Sequence, residues 1–263
     1  MKSAVLKVFL GGGIAALFGF LSNVLMARTL SVEDYGRISL LYSIVIILFT
    51  VFEFGLGNAV VVRINSSRKF NTALTGEVSA IFRRYAAFLI LAILPPVYVF
   101  YSIYEFSRLE ALLLFVCPLF LIGHKYFLSL VQAFGNWNKY NIIQASNTFI
   151  KLLFSVVAYA LFIFFLEGGA LIDAYVLALC LYGGAIFIIG SIVTKGIVNP
   201  RGIFKEVDYK AFFVIAMPIG IANIFIIFAM RIDGLLIANI LTERDVGLYF
   251  AANSLAMIFP LLT

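Results

Sequence analysis

The chain has 263 residues, of which 63% are hydrophobic and 12% charged, with a net charge of +6. A soluble domain carries about 25% charged residues, so composition excludes an ordinary water-soluble enzyme or binding module and predicts an all-α, polytopic membrane helical bundle. Cys117 and Cys180 lie amid apolar neighbours and form no disulfide framework, zinc-site or redox pattern, and no motif calls for a cofactor.

Apolar runs long enough to cross ~30 Å of hydrocarbon lie near 8–27, 38–62, 86–104, 111–131, 142–166, 173–194, 212–238 and 246–263. Met1–Lys7 is weakly basic, but the run after it has no small-residue cleavage site, so it reads as a retained helix rather than a signal peptide. Span one carries Gly11-Gly12-Gly13, Ala15 and Gly19, small-residue spacings that predict close helix approach. In span two Ser39, Ser43, Thr50, Glu53 and Gly57 fall within about 80° of an ideal helix, a polar stripe that must face protein or water. Arg63–Arg84 mixes five arginine and lysine residues with large apolar ones, the pattern of topological anchoring by positive charge or of an interfacial helix on anionic headgroups.

Pro95-Pro96, Pro118, Pro218 and Pro260 interrupt spans three, four, seven and eight and predict kinks. Span four holds the sole histidine, His124, beside Lys125, which is placed to snorkel toward its end of the membrane. Span five has a second stripe, Gln144, Asn147, Thr148, Lys151 and Ser155, within about 100°. Lys195–Lys210, with Asn199-Pro200 and Arg201-Gly202, reads as the linker that follows span six. The other connections leave no room for an extramembrane catalytic domain.

Charge fixes the expected orientation. Twelve lysines and arginines fall on the side that holds the N-terminus, and only Arg28, Arg37, Arg108 and Arg244 on the other. The N-terminus is therefore expected in the cytoplasm. The basic charge is explained by topology and implies no nucleic-acid partner.

The segment Ala27–Gly36, ARTLSVEDYG, returns degenerately as Ala238–Gly247, ANILTERDVG, 211 positions later, and Ser43 meets Ser254 at the same offset. Internal repeats are the usual build of secondary transporters, with the substrate site between them. The expected organisation is a six-helix lobe over 1–210 and a second lobe starting at 211–263 and truncated after about two helices. An intact second repeat would bring the protein to ~12 helices.

Glu53, Lys125, Lys151, Arg231 and Asp233 place formal charges inside the spans. Each costs about 2.5–3.5 kcal/mol at mid-membrane, so such groups mark functional paths. The candidate substrate pathway is Glu53, Gln144, Asn147, Lys151, Arg231 and Asp233, and Glu53 and His124 are the candidate proton-coupling groups. Three cations against two anions favour an anionic cargo such as a lipid diphosphate.

The run LGGGIAALFGFLSNVLMARTLSVEDYGRISLLYSIV, continued by EFGLGNAVV, resembles the opening helices of polysaccharide-repeat-unit (O-antigen type) flippases. These belong to the multidrug/oligosaccharidyl-lipid/polysaccharide exporter superfamily. QAFGNWNKYN at Gln132–Asn141 and RIDGLLIANILTERDVGLYFAANSL at Arg231–Leu255 are similar to the same family. The resemblance implies two six-helix lobes in the bacterial cytoplasmic (inner) membrane. It implies a cationic cavity that carries undecaprenyl-diphosphate-linked oligosaccharide by alternating access, driven by an ion gradient. Arg231 and Asp233 match the family's charged pair in span seven, and Glu53 its acidic-Phe-Gly motif. The implied partners are the lipid-linked oligosaccharide and the lipid bilayer, with polysaccharide polymerase and chain-length proteins as candidate protein partners.

Other readings stay open. A multidrug/cation antiporter of the same superfamily would need an acidic or apolar cavity. A lipid II flippase would carry a basic signature in its first helix that is not present. An integral membrane polymerase or acyltransferase needs positioned titratable groups at an accessible site, and a scaffold of a polysaccharide-synthesis complex would use the basic loops.

Overall fold

A computed structural model of the chain describes residues 2–66, 72–165, 170–197 and 209–256. Among them are ten helices and no strand: α1 Lys2–Thr29, α2 Val32–Glu53, α3 Leu56–Ser66, α4 Thr72–Ala92, α5 Leu94–Ile103, α6 Arg108–Ala133, α7 Trp137–Phe165, α8 Ala170–Val193, α9 Tyr209–Ile240 and α10 Glu243–Ala256. Seven stretches are long and apolar enough to cross a membrane: Gly12–Thr29, Val32–Ser66, Gly76–Ile103, Arg108–Ala133, Trp137–Ala160, Ile172–Val193 and Tyr209–Ile240. Residues 246–256 of the expected eighth span lie in α10; its end, with Pro260, lies outside the described residues. So do Arg68 and Lys69 of the basic segment and most of the Lys195–Lys210 linker.

Chain chemistry sets the breaks. The Ser31 hydroxyl accepts the Asp34 N–H at 3.0 Å and starts α2, with Glu33 and Asp34 in its first turn. The expected continuous second span is interrupted: Phe54 (φ 47°) and Gly55 (φ 73°) turn left-handed. Glu53 then caps the new helix, its carboxylate accepting Gly55 N–H at 2.8 Å and Gly57 N–H at 2.6 Å. Pro95-Pro96 open α5 after a break at Ile93. Where an interfacial helix is expected, Thr72–Arg84 instead forms the first turns of α4, which runs on into the membrane-length stretch. Its Glu77 pairs with Arg63 of α3 at 3.3 Å. α6 begins with a full capping box from Ser107 and Glu110.

The main core packs α2 against α6 and α8 through fully buried Ile38, Leu41, Ile44, Val45, Leu113, Leu114, Val176 and Ile186. A second core joins α3, α4, α6 and α9 through Ala59, Val60, Val78, Leu130, Phe212 and Ala216. Outward faces carry large exposed apolar side chains such as Leu91, Phe225 and Ile240, as a lipid-facing surface requires.

The repeat is visible in the backbone. Leu30 N–H to Met26 C=O (3.0 Å) returns as Leu241 to Ile237 (2.9 Å), and Tyr35 to Ser31 (2.9 Å) returns as Val246 to Thr242 (3.1 Å). Thr242 repeats the cap of Ser31, accepting from Asp245 N–H at 3.4 Å and donating from its own N–H to the Asp245 carboxylate at 3.1 Å. The Thr242 hydroxyl also donates to that carboxylate at 2.6 Å, and this bond, with that of the Thr242 N–H, holds the Asp245 carboxyl below its ordinary pKa.

Close approach occurs between the repeats rather than along span one. A Cβ on Gly12 or Gly13 would meet nothing within 4 Å. On Gly36 it would stand 2.7 Å from the Gly247 N, and on Gly55 it would stand 2.6 Å from the Ala216 C=O and 2.7 Å from the Gly220 N. α2 therefore touches α10 near one end and α9 near the other, backbone to backbone. α1 meets α7 by side chains, Ser22 to Ser155 at 2.9 Å and Phe18 to Phe149 at 5.5 Å between ring centroids.

Candidate functional site

Between the α2–α10 and α2–α9 contacts lies a cavity of ≈ 150 Å³ walled by six helices. Its polar lining is Asn23 of α1, Tyr35, Ser39 and Tyr42 of α2, Lys151 of α7, Arg231 of α9, and Asn253 and Ser254 of α10. Met26, Ile38, Leu179 and Phe250 complete the wall. Two cations line it and, among the described residues, no carboxylate does.

The two charges are held differently. The Lys151 ammonium sits 4.3 Å from the centre of the Tyr42 ring, a cation–π contact. Behind that ring, Tyr42 interacts with Tyr182 through their hydroxyls, and the Tyr182 hydroxyl donates to the Asn147 carbonyl oxygen. Asn147 thus stands behind the wall and orients the aromatic seat rather than the contents. Arg231 has less support: its buried Nε finds no hydrogen-bond partner among the described residues. Neither cation takes part in an ion pair among the described residues. A desolvated charge without a counter-ion is strongly unfavourable, and a multivalent anion would supply acceptors for both.

The remaining candidates lie apart from this cavity. Gln144 is one turn before Asn147, with its buried Oε1 unpartnered among the described residues. Asp233 is two positions from Arg231 on another side of α9; it is exposed and accepts from the Tyr249 hydroxyl and from Gly234 N–H at 2.8 Å. The charged pair of span seven is therefore divided between the cavity and the outer face of the helix. Glu53 is 4% exposed and serves α3 as its cap, facing a small apolar pocket of ≈ 10 Å³ instead of the cation pair. His124 is buried on α6, outside the cavity wall, with Nδ1 unpartnered among the described residues.

Sequence reasoning missed Asn23, Tyr35, Tyr42 and Asn253. A signal for part of this was present: Ser39 and Phe250, and Tyr42 and Asn253, are pairs separated by the repeat offset of 211, and all four line the cavity. Carrying the polar stripe of span two across the offset leads to α10.

A second cavity, ≈ 320 Å³, opens on the other side of the Gly36–Gly247 contact. Arg37, Tyr104, Glu105, Phe106, Leu241 and Glu243 are among its walls. Arg37 is clamped there by Glu110, Nε to Oε1 at 2.6 Å and Nη2 to Oε2 at 2.9 Å, a bidentate pair.

No curated protein and no solved structure matches the chain. A family model described as polysaccharide biosynthesis protein matches residues 3–263. A bundle of membrane-length helices accords with that match, and the chain belongs to the polysaccharide biosynthesis protein family, whose flippase-type members are membrane transporters.

Proposed function

We propose that the protein translocates undecaprenyl-diphosphate-linked oligosaccharide repeat units across the bacterial cytoplasmic membrane by alternating access. The observation that carries this reading is the pairing of Lys151 and Arg231 in one cavity with no carboxylate on its wall among the described residues. A diphosphate offers acceptors for both, and charge-assisted bonds of this kind contribute about 1.5–3 kcal/mol each. The same lining disfavours a cationic drug, which would meet two like charges with no anion to receive it.

In this reading residues 1–210 form one lobe and 211–263 open the next. The N-terminus lies in the cytoplasm, following the excess of lysine and arginine on that side. The turns near Leu30, Glu105 and Leu241 then face outward. The headgroup enters from the cytoplasm, Lys151 and Arg231 hold the diphosphate, and parting of α2 from α10 releases it outward. Tyr42 keeps the ammonium in position while the site is empty. Glu53 acts through the α2–α3 break, and Asp233 in contacts at the lipid-facing or interhelical side of α9.

The test uses the full-length protein in cells lacking their own copy. Replacing Lys151 and Arg231 together by Ala should abolish surface polymer and trap lipid-linked oligosaccharide on the cytoplasmic leaflet, with membrane insertion unchanged. Normal export by the double variant would sink the assignment. Unchanged glycolipid with a new sensitivity to cationic drugs would instead favour the antiporter.

A further inference from the structure

We infer that Phe212 is the plug of a gate at the end of the bundle that holds Arg63 and Arg84. The first turns of α9 seat it in a socket of α3, α4 and α6, and it leaves by a swing of those turns about Pro218 and the Gly55–Gly220 contact. The inference rests on the transport reading for the cargo that passes and for naming this end cytoplasmic. The device itself is a matter of packing.

The socket is braced without help from α9. Glu53 fixes the start of α3 through two backbone N–H groups. The Tyr85 hydroxyl of α4 donates at 2.7 Å to the Phe52 C=O beside the α2–α3 break. Arg63 of α3 pairs with Glu77 of α4 at 3.3 Å. Leu56, Val60, Val78, Ile81 and Tyr126 thus form an apolar wall on three tied helices. Phe212 closes it at 2% exposure, and a hollow of ≈ 10 Å³ remains among the same side chains.

α9 is held more lightly. Its buried residues are Phe212, Ala216, Gly220 and Gly234, and Gly234 packs on Phe250 of α10. The other three recur every four positions, a narrow stripe on one face of the helix. Phe212 is the only large side chain in it. Pro218 falls within that stripe and cannot donate to the Val214 C=O, so the helix bends there readily. Beside it, a Cβ on Gly220 would stand 2.6 Å from the Phe54 C=O. Two backbones meet there with no side chain between them, and one can roll on the other.

The outer edge of the contact is a latch that water can replace. Arg84 of α4 donates to the Tyr209 hydroxyl and lies 5.7 Å from the centre of that ring. Arg84 is exposed, so the pair stabilises the closed form only weakly. Lipid is as apolar as the socket, so what retains Phe212 is its packing. The cation-lined cavity stands on the far side of the Gly55–Gly220 contact, toward α10. Parting the first turns of α9 from the socket therefore opens that cavity toward the Arg63–Arg84 end.

The test uses the full-length protein in cells lacking their own copy. Arg84→Cys and Tyr209→Cys, made together, are bridged by a short bis-methanethiosulfonate reagent. Cross-linking should stop export, reduction should restore it, and each single variant should export normally with the reagent present. Full export by the cross-linked protein, or failure of the pair to cross-link, would overturn the gate. A second readout needs no transport. Ser39→Cys places a thiol in the cation-lined cavity, and a membrane-impermeant maleimide is applied to inside-out vesicles. Phe212→Ala should raise labelling about fivefold by depopulating the closed form, and Phe212→Leu should raise it less. Equal labelling with all three side chains would refute the plug. Should Phe212→Ala not insert, the cross-linked pair decides, since the bridge must lower the labelling of Ser39→Cys. Cross-linking that lowers this labelling in a protein shown not to export glycolipid would refute the transport reading and keep the gate.

Discussion

The two cavities lie on either side of one contact yet are opposite in charge. Toward the membrane interior, Lys151 and Arg231 stand with no carboxylate on the wall among the described residues; toward the α1–α2 turn, Glu105 and Glu243 remain after Arg37 has been neutralised by Glu110. The difference lies in where each arginine finds its partner. Arg37 is satisfied by its own repeat, whereas Arg231 keeps a buried nitrogen unpartnered among the described residues. A satisfied charge builds structure, and an unsatisfied one in a cavity is left to be completed by a ligand. The double replacement of Lys151 and Arg231 tests this most severely, because it removes the whole positive side of the comparison.

The next largest effect should come from the wall between the cavities. Gly36 lies between Tyr35, which lines the interior cavity, and Arg37, which lines the other; Gly247 lies likewise between Val246 and Phe250. A methyl at Gly36 would press on the Gly247 N at 2.7 Å and the Glu243 C=O at 2.8 Å. Backbone on both sides cannot swing away as a side chain would. Gly36→Ala should therefore cost about 1–3 kcal/mol, read as a lowered midpoint of thermal unfolding in detergent, and should reduce export. The same change at Gly12, which faces open space, should leave both measurements unaltered. Equal effects at the two glycines would mean that the seam is not a close contact in the protein.

How far these features could be read from the chain differs by feature. The helical membrane bundle was legible, because apolar runs of membrane length leave little alternative. The repeat was legible from Leu30, Ser31, Asp34 and Gly36 meeting Leu241, Thr242, Asp245 and Gly247, since turn and cap chemistry is local. Lys151 and Arg231 were legible as costly charges on one expected pathway, but the walls that bring them together were not, because those depend on tertiary packing of α7 against α1 and of α9 against α2. Glu53 misleads for a local reason. Treating span two as one helix puts it on the Ser39–Ser43 stripe, while Phe54 and Gly55 turn the chain and direct its carboxylate to backbone N–H groups. Nor does glycine spacing alone reveal close approach. The glycine run of span one reads as a packing motif, yet Gly12 and Gly13 face open space, whereas the single Gly36 meets a backbone.

A smaller effect separates the Tyr42 ring from its hydroxyl. Tyr42→Leu removes the surface on which the Lys151 ammonium rests at 4.3 Å, a contact of about 0.5–2 kcal/mol. Tyr42→Phe keeps the ring and loses only its link to Tyr182. Pyrophosphate binding by the full-length protein should weaken severalfold in the Leu variant and little in the Phe variant. Equal losses would move the function of Tyr42 from its ring to the Tyr182–Asn147 network.

The smallest predicted effect contrasts two carboxylates on the same guanidinium. Glu110 is buried, meets Arg37 at 2.6 and 2.9 Å, and accepts the Ser107 N–H at 2.6 Å as part of the α6 cap. Glu243 is solvated, meets Arg37 only at 3.5 Å, and belongs to the other repeat. Solvent screens the latter pair, so Glu243→Gln should change the unfolding midpoint by less than about 1 kcal/mol equivalent. Glu110→Gln leaves a partly buried arginine without its counter-ion and disrupts a helix cap, so its loss should be several times larger. A stability loss from Glu243→Gln as large as that from Glu110→Gln would show that the two repeats are clamped by charge on this side. In that case the second cavity would be a structural joint, with the Glu243 carboxylate engaged by Arg37.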